Sequence, residues 1–267
     1  MMPLLSPRSI KGWALVACAW LGVGGGLLQG QEYLSQWSDS HPREGIAYCG
    51  PVAAANSLIH LFKTDRRSPL ATRDPREIAQ HCARAMGTHP RYGTPVPFVA
   101  SGLRLLLGAY GYRGVDVRVY GPGAEAPTLV HCRKGLEDNG VVLVCARLYQ
   151  RSARGGWSSP MGHWFSLKSV TDRQMVLVDP TPGWELTALL HPAPEDLSRL
   201  YGRPKQLLHA SAFRGLYAVV DSIVVVHPGR RTRQPVADHR LPRQSVKSTE
   251  KYTRLYVPKE PVQVTTP

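Results

Sequence analysis

The chain reads as an α+β protein, its N-terminal helices packed on an antiparallel β-sheet. Three observations predict this. Between residues 49 and 111 the apolar residues recur at helical spacing in three successive segments. After Gly114 the texture changes to short alternating or continuous apolar runs rich in valine. Helices and strands are thus segregated along the chain rather than interleaved, which is the order of an α+β domain. With 267 residues and 43% hydrophobic content, the chain is long enough for one sizeable core with tails.

The first helix is predicted over "YCGPVAAANSLIHLF", residues 48–62. Pro51 suits a first helical turn, where its missing N–H would be unpaired in any case. Val52, Ala55, Leu58, Ile59 and Phe62 then form one apolar stripe. Cys49 therefore stands at the helix N-terminus. Free backbone N–H groups and the positive end of the helix dipole favour a thiolate there. Ala53, Ala54 and Ala55 let a neighbour approach closely. "DPREIAQHCARAM" predicts a second helix, with Asp74 as N-cap and Pro75 at the first position. "PFVASGLRLLLGAYG" predicts a third, closed by Gly111.

"VDVRVYG" predicts a strand, "APTLVHCRKGLEDNG" a helix and "VVLVCARLY" a strong strand. "RSARGGWSSPMG" has the composition of a loop. "HWFSLKSV" and "QMVLVDP" are two strands joined around "TDR", a hairpin. "HPAPEDLSRLYG" predicts a short helix, and "GLYAVVDSIVVVHP" one or two final strands.

Outside this region lie two segments of different character. Arg8 and Lys11 precede an apolar run from Gly12 to Leu28. That order predicts an export signal over 1–30, with cleavage after Gly30. An uncleaved anchor and a lipoprotein box with Cys18 as the lipidated residue are the other two readings, and the anchor would associate with a membrane through residues 12–30. From 229 to 267, nine basic residues face three acidic ones among several prolines. This predicts a basic disordered tail, leaving 31–228 as the folded domain. The chain carries a formal net charge of +14, read as a solvated surface. No aromatic stripe or groove-reading motif accompanies it, so no nucleic-acid partner is expected.

Of the five cysteines, 49, 82, 132 and 145 remain after removal of a signal. They form no CxxC pair and no zinc spacing, so neither a metal nor a cofactor is expected. Two of Cys82, Cys132 and Cys145 can pair in an oxidising compartment; the other reading places them in the core.

"GHWFSLKSVTDRQMVLVDPTPG" supplies a partner for Cys49. An antiparallel hairpin returns its second strand to the start of its first, so His163 and Asp179 are expected side by side. Asp179 would fix the imidazole tautomer and stabilise its charge. His163 would take the proton of the Cys49 thiol. Each residue alone has a plain structural reading: a core cysteine, a strand-end histidine, an aspartate that starts a turn.

With these motifs in place, the chain resembles the papain-like cysteine peptidases, and within them the bacteriocin-processing (double-glycine) peptidase-like proteins. The resemblance rests on "YCGPVAAANSL", "YGTPVPFVASGLRLLLGAYGY", "GHWFSL" and "VLVDP", and covers residues 31–227. It implies a papain-like fold and a thiol hydrolase of a peptide or amide substrate. Cys49 would be nucleophile, His163 general base and then acid, and Asp179 the orienting group. A glutamine upstream of the cysteine would complete the oxyanion hole with the Cys49 backbone N–H. Here the chain departs from the pattern: Arg43 occupies the usual place, about six residues before the cysteine, and the nearest glutamine upstream is Gln36. An acyltransferase using the same thiol and a non-catalytic peptide- or wall-polymer-binding module are the alternative functions.

Overall fold

The computed structural model describes residues 33–36, 47–63, 65, 68–90, 92–151, 156–199, 205–213 and 215–232. The expected signal or anchor at 1–30, Arg43 and most of the basic tail lie outside the described residues. The fold is mixed α/β: three consecutive helices, then an antiparallel sheet that closes into a barrel.

Helices α1 (Cys49–Phe62), α2 (Pro75–Met86) and α3 (Val96–Ala109) follow the periodic segments closely. Asp74 caps α2 by accepting from the Arg76 N–H, and Gly87 ends it at φ 58°. The first strands, β1 (Tyr112–Arg113) and β2 (Asp116–Tyr120), lead into α4 (Leu129–Glu137). Then come β3 (Val141–Arg151), β4 (Trp157–Val170), β5 (Gln174–Asp179) and β6 (Trp184–Pro192). After the short α5 (Glu195–Arg199), β7 (Gln206–His209), β8 (Tyr217–His227) and β9 (Arg230–Arg231) are the last strands among the described residues.

The strands run in the order β2-β8-β3-β4-β5-β6-β7, and β7 pairs again with β8. Six strands, β3 to β8, therefore form a closed barrel, and β2 extends the sheet beside β8. One edge of β8 serves two partners. Its first half meets β7, at Ala218 and Val219, and its second half meets β2, from Ile223 to His227. Between them the ladder with β3 slips, leaving Asp221 as the extra residue of a bulge. The bulge explains why this stretch reads in sequence as either one strand or two.

The two faces of the barrel wall bury different things. Val141, Leu143, Cys145, Trp164, Val224 and Val226 pack with the helices in one apolar cluster. The alternate residues, among them Val144, Ala146, Phe165, Leu177, Ala188 and Ala218, are also fully buried and face the barrel interior. There Phe165 meets Phe213 edge-on, with ring centroids 6.1 Å apart. Both faces being buried is why β3 and β8 read as continuous valine runs rather than as alternation.

Several expectations are corrected. The predicted loop over "RSARGGWSSPMG" is mostly strand, because Trp157 anchors the start of β4: its ring is buried against Tyr217 and its Nε1 donates to Asp196. His163 consequently sits within β4 rather than opening it. The strands β6 and β7, which close the barrel, were not expected. Gly229 to Thr232, read as the start of the tail, belong to the folded unit: Arg230 and Arg231 pair with β1, and the Thr232 N–H donates to Gly111 O. Cys49, Cys82, Cys132 and Cys145 are all free and buried, so the disulfide reading gives way to the core reading.

Candidate active site

Cys49 is the first residue of α1, and the helix start is held tightly. A Cβ on Gly50 would lie 3.3 Å from both Thr94 Cβ and the Trp164 ring. Trp164 Nε1 donates to Thr94 O at 3.0 Å, and Thr94 and Thr88 hydroxyls bond at 2.7 Å. The glycine–threonine segment before α3 thus forms a brace against the cysteine. Gly93, at φ 71°, makes the turn that presents Thr94. Deeper in the helix, Ala53, Ala54 and Ala55 are completely buried, and Ser166 Oγ of β4 donates to Ala53 O at 2.5 Å. Small side chains there permit this close contact of helix and sheet.

The hairpin β4–β5 brings His163 and Asp179 together. His163 Nε2 lies 2.9 Å from Asp179 Oδ1, and Thr181 Oγ1 stands 3.4 Å from the same nitrogen. Asp179 is fully buried, and its Oδ1 also accepts from the Thr181 N–H at 2.8 Å. The imidazole packs edge-on against Phe165, centroids 4.6 Å apart. The Cys49 side chain also acts on the imidazole and favours its charged form. With Nε2 taken by the carboxylate, Nδ1 is the nitrogen left for the thiol.

Electrostatics follow from this arrangement. Burial is the largest single influence on His163 and opposes its charge. The Asp179 charge and hydrogen bond, with those of Cys49, outweigh burial and push the imidazole up to about 10. The other thiols are held neutral. Burial raises Cys82 and Cys145 well above the ordinary thiol value, and Cys132 to about 12.

A pH prediction follows. An unfolded histidine releases its proton near about 6.5. The folded protein keeps it to about 10, so its contribution to stability is complete below the lower value and lost as pH rises through the upper one. Unfolding free energies of the native chain and His163→Gln, compared from pH 6 to 10, should converge by about 1.4 kcal/mol or more. A pH-independent difference would mean that the folded imidazole is neutral.

Gln36 also arrives at this place. Its backbone N–H donates to Pro180 O at 2.7 Å, one residue from Asp179. Ser35 Oγ donates to Thr181 O at 2.7 Å. On the other side, Asn56 of α1 forms a pair of hydrogen bonds with the backbone of Leu34, at 2.8 and 3.1 Å. Gly183, at φ 73°, completes the clamp: a Cβ there would meet Tyr33 O at 2.9 Å. Segment 33–36 is therefore strapped between the nucleophile helix and the turn after Asp179. Gln36 is buried, and its side-chain oxygen has no hydrogen-bond partner among the described residues. An unpaired buried amide oxygen is costly, and such groups concentrate at functional sites.

No protein-family model matches the chain, and no curated protein matches it. The four residues singled out from the sequence are thus judged on geometry alone. His163 and Asp179 are joined by a hydrogen bond, the Cys49 side chain acts on the same imidazole, and Gln36 is tied to the turn that follows Asp179. Asn56, Thr94, Trp164 and Thr181, which hold them, were not identified from the sequence. Asn56 had a signal: a polar residue on an otherwise buried stretch of the helix. Among the described residues, no group of three His, Cys, Asp or Glu side chains is arranged to hold a metal ion.

Proposed function

We propose that this protein is an exported thiol hydrolase of the papain-like kind, cleaving a peptide or amide bond through Cys49, His163 and Asp179. The observation that carries the reading is the position of His163, bonded to a buried carboxylate and favoured in its charged form by that carboxylate and by the Cys49 thiol. Export rests on the charged and apolar pattern of residues 1–30.

In this mechanism His163 takes the Cys49 proton and Asp179 stabilises the resulting imidazolium. The thiolate attacks the carbonyl carbon, and the carbonyl electron pair moves to oxygen. The Cys49 N–H, which has no intrahelical acceptor at the start of α1, is one donor to that oxyanion. The Gln36 side-chain amide is the second. Collapse of the tetrahedral intermediate expels the amine, which receives its proton from His163. Water, deprotonated by His163, then cleaves the thioester and frees the acid and the thiol.

The test separates oxyanion stabilisation from thiol activation. Against a panel of peptide amides and esters, Gln36→Ala should lower turnover about 10²–10³-fold. Its Cys49 should still be alkylated by iodoacetamide at the native rate, because alkylation builds no oxyanion. Unchanged turnover would remove Gln36 from the mechanism. If the native chain turns over no amide or ester, the binding-module reading replaces the hydrolase.

A further inference from the structure

A cavity of about 300 Å³ opens between the C-terminal half of α1, the turn from α4 to β3, and strands β4 and β5. Its size is at the lower end of small-molecule sites. It is separate from the candidate triad. The α1 residues that line it begin at Asn56, seven positions and roughly 10 Å along the helix from Cys49. Neither His163 nor Asp179 is among its lining residues.

One wall carries a hydroxyl left over by the packing of helix on sheet. A serine inside a helix usually returns its Oγ to the carbonyl four residues back. For Ser57 that acceptor is Ala53 O, which already receives the Ser166 hydroxyl at 2.5 Å. Ser57 lines the cavity, and its Oγ is buried with no hydrogen-bond partner among the described residues. Lys168 of β4 lines the same space and is held by an ion pair with Glu185, whose Oε1 also accepts from the Tyr33 hydroxyl at 2.6 Å. An ammonium has three N–H donors, more than Glu185 and Tyr33 take up. The His60 ring lines the cavity too, and it acts on the Glu185 carboxylate that Lys168 holds below its usual range. At the end of α4 the last carbonyls are engaged: the Asn139 N–H donates to Leu136 O at 3.1 Å and the Gly140 N–H to Gly135 O at 2.8 Å. That end therefore presents the Asn139 carboxamide rather than bare acceptors. Between these polar groups the surface is apolar, at Leu61 and Val178.

We infer that this cavity is a second binding site, taking a small carboxylate that carries a branched apolar group. Lys168 receives the carboxylate, Ser57 gives it a hydroxyl donor, and Leu61 and Val178 receive the apolar group. An N-acylated aliphatic amino acid and the free C-terminal residue of a peptide have this shape and charge. A charge-assisted bond to a fixed ammonium is among the stronger polar contacts, and a buried hydroxyl regains in the complex the partner it lost on folding. The apolar wall disfavours a fully hydrated anion. This site goes beyond the proposed hydrolysis and does not depend on the chemistry of Cys49.

The full chain is titrated calorimetrically with N-acetylleucine, with N-acetylleucinamide, which has the same shape without the charge, and with inorganic phosphate. N-acetylleucine should bind about tenfold or more tighter than either of the others. Lys168→Met should weaken it about fivefold or more and leave the amide unchanged. Ser57→Ala should weaken it about twofold or more. Lys168→Gln, which retains a donor toward Glu185, repeats the test if the methionine variant loses its fold. Cys49→Ala should bind N-acetylleucine with native affinity, and saturating N-acetylleucine should leave the alkylation rate of native Cys49 unchanged. No binding of the acid, equal binding of acid and amide, or indifference to Lys168→Met in a folded variant overturns the inference. Phosphate binding as tightly as the acid overturns the ligand class. Loss of binding in Cys49→Ala, or protection of Cys49 by the acid, places the probe in the catalytic cleft and overturns the second site. A native chain that binds N-acetylleucine through Lys168 yet turns over no amide or ester removes the hydrolase reading alone.

Discussion

Asp179→Asn should reduce turnover by about 10²–10⁴-fold while leaving the fold in place. The substitution preserves shape, and an amide oxygen can still accept from the Thr181 N–H that now bonds Asp179 Oδ1 at 2.8 Å. What disappears is the charge. Burial is the strongest single influence on His163, and the Asp179 charge is the first of the effects that overcome it. Without that charge the buried imidazole gives up its proton far more readily, so the imidazolium that protonates the leaving amine is lost. The same variant should lose the pH-dependent part of the stability described above. Circular dichroism and steady-state rates against pH check both. Native turnover in a folded Asp179→Asn would reduce the carboxylate to a turn-forming residue.

Phe165→Ala should cost about 3–5 kcal/mol of stability, the usual range for emptying a large aromatic site. Phe165 has no exposed surface and stands between the His163 and Phe213 rings inside the barrel. Truncation would leave a void that strands fixed on both sides by ladder bonds cannot close. Phe165→Leu keeps most of the volume and should cost under about 1.5 kcal/mol. Urea unfolding measures both. An alanine variant as stable as the leucine variant would mean that the barrel interior collapses around the gap.

These two residues also mark how far the sequence could be read. Asp179 was legible because a hairpin converts sequence distance into contact: strands joined by a three-residue turn can return only to each other's starts. The Cys49 helix was legible through its period and Pro51. The closed barrel was not. Its closure depends on β6 and β7, where Trp184 to Pro192 buries little more than Leu186 and Ala188 and so gives a weak alternation. It also depends on β8 changing partners at Asp221, a register event that leaves no local signature. The placement of Gln36 was half legible. Its residue type suited an oxyanion donor, but the clamp that positions it comes from Asn56, Thr181 and Gly183, contacts between segments 20 to about 150 residues apart in sequence. The boundary of the basic tail failed for a similar reason: Arg230 and Arg231 are held by backbone pairing to Tyr112 and Arg113, which composition does not register.

The central claim is that His163 activates Cys49, and cysteine-resolved alkylation tests it most directly. Folded protein is treated with iodoacetamide at about pH 6, well below the ~8.5 of a free thiol, and each cysteine is quantified by mass spectrometry. Cys49 should be labelled rapidly, while Cys82, Cys132 and Cys145, buried and held neutral, should react only after unfolding. His163→Ala should slow Cys49 to the rate of an ordinary thiol without changing the other three. Uniform labelling of all four cysteines, or a Cys49 rate indifferent to His163→Ala, would contradict the account.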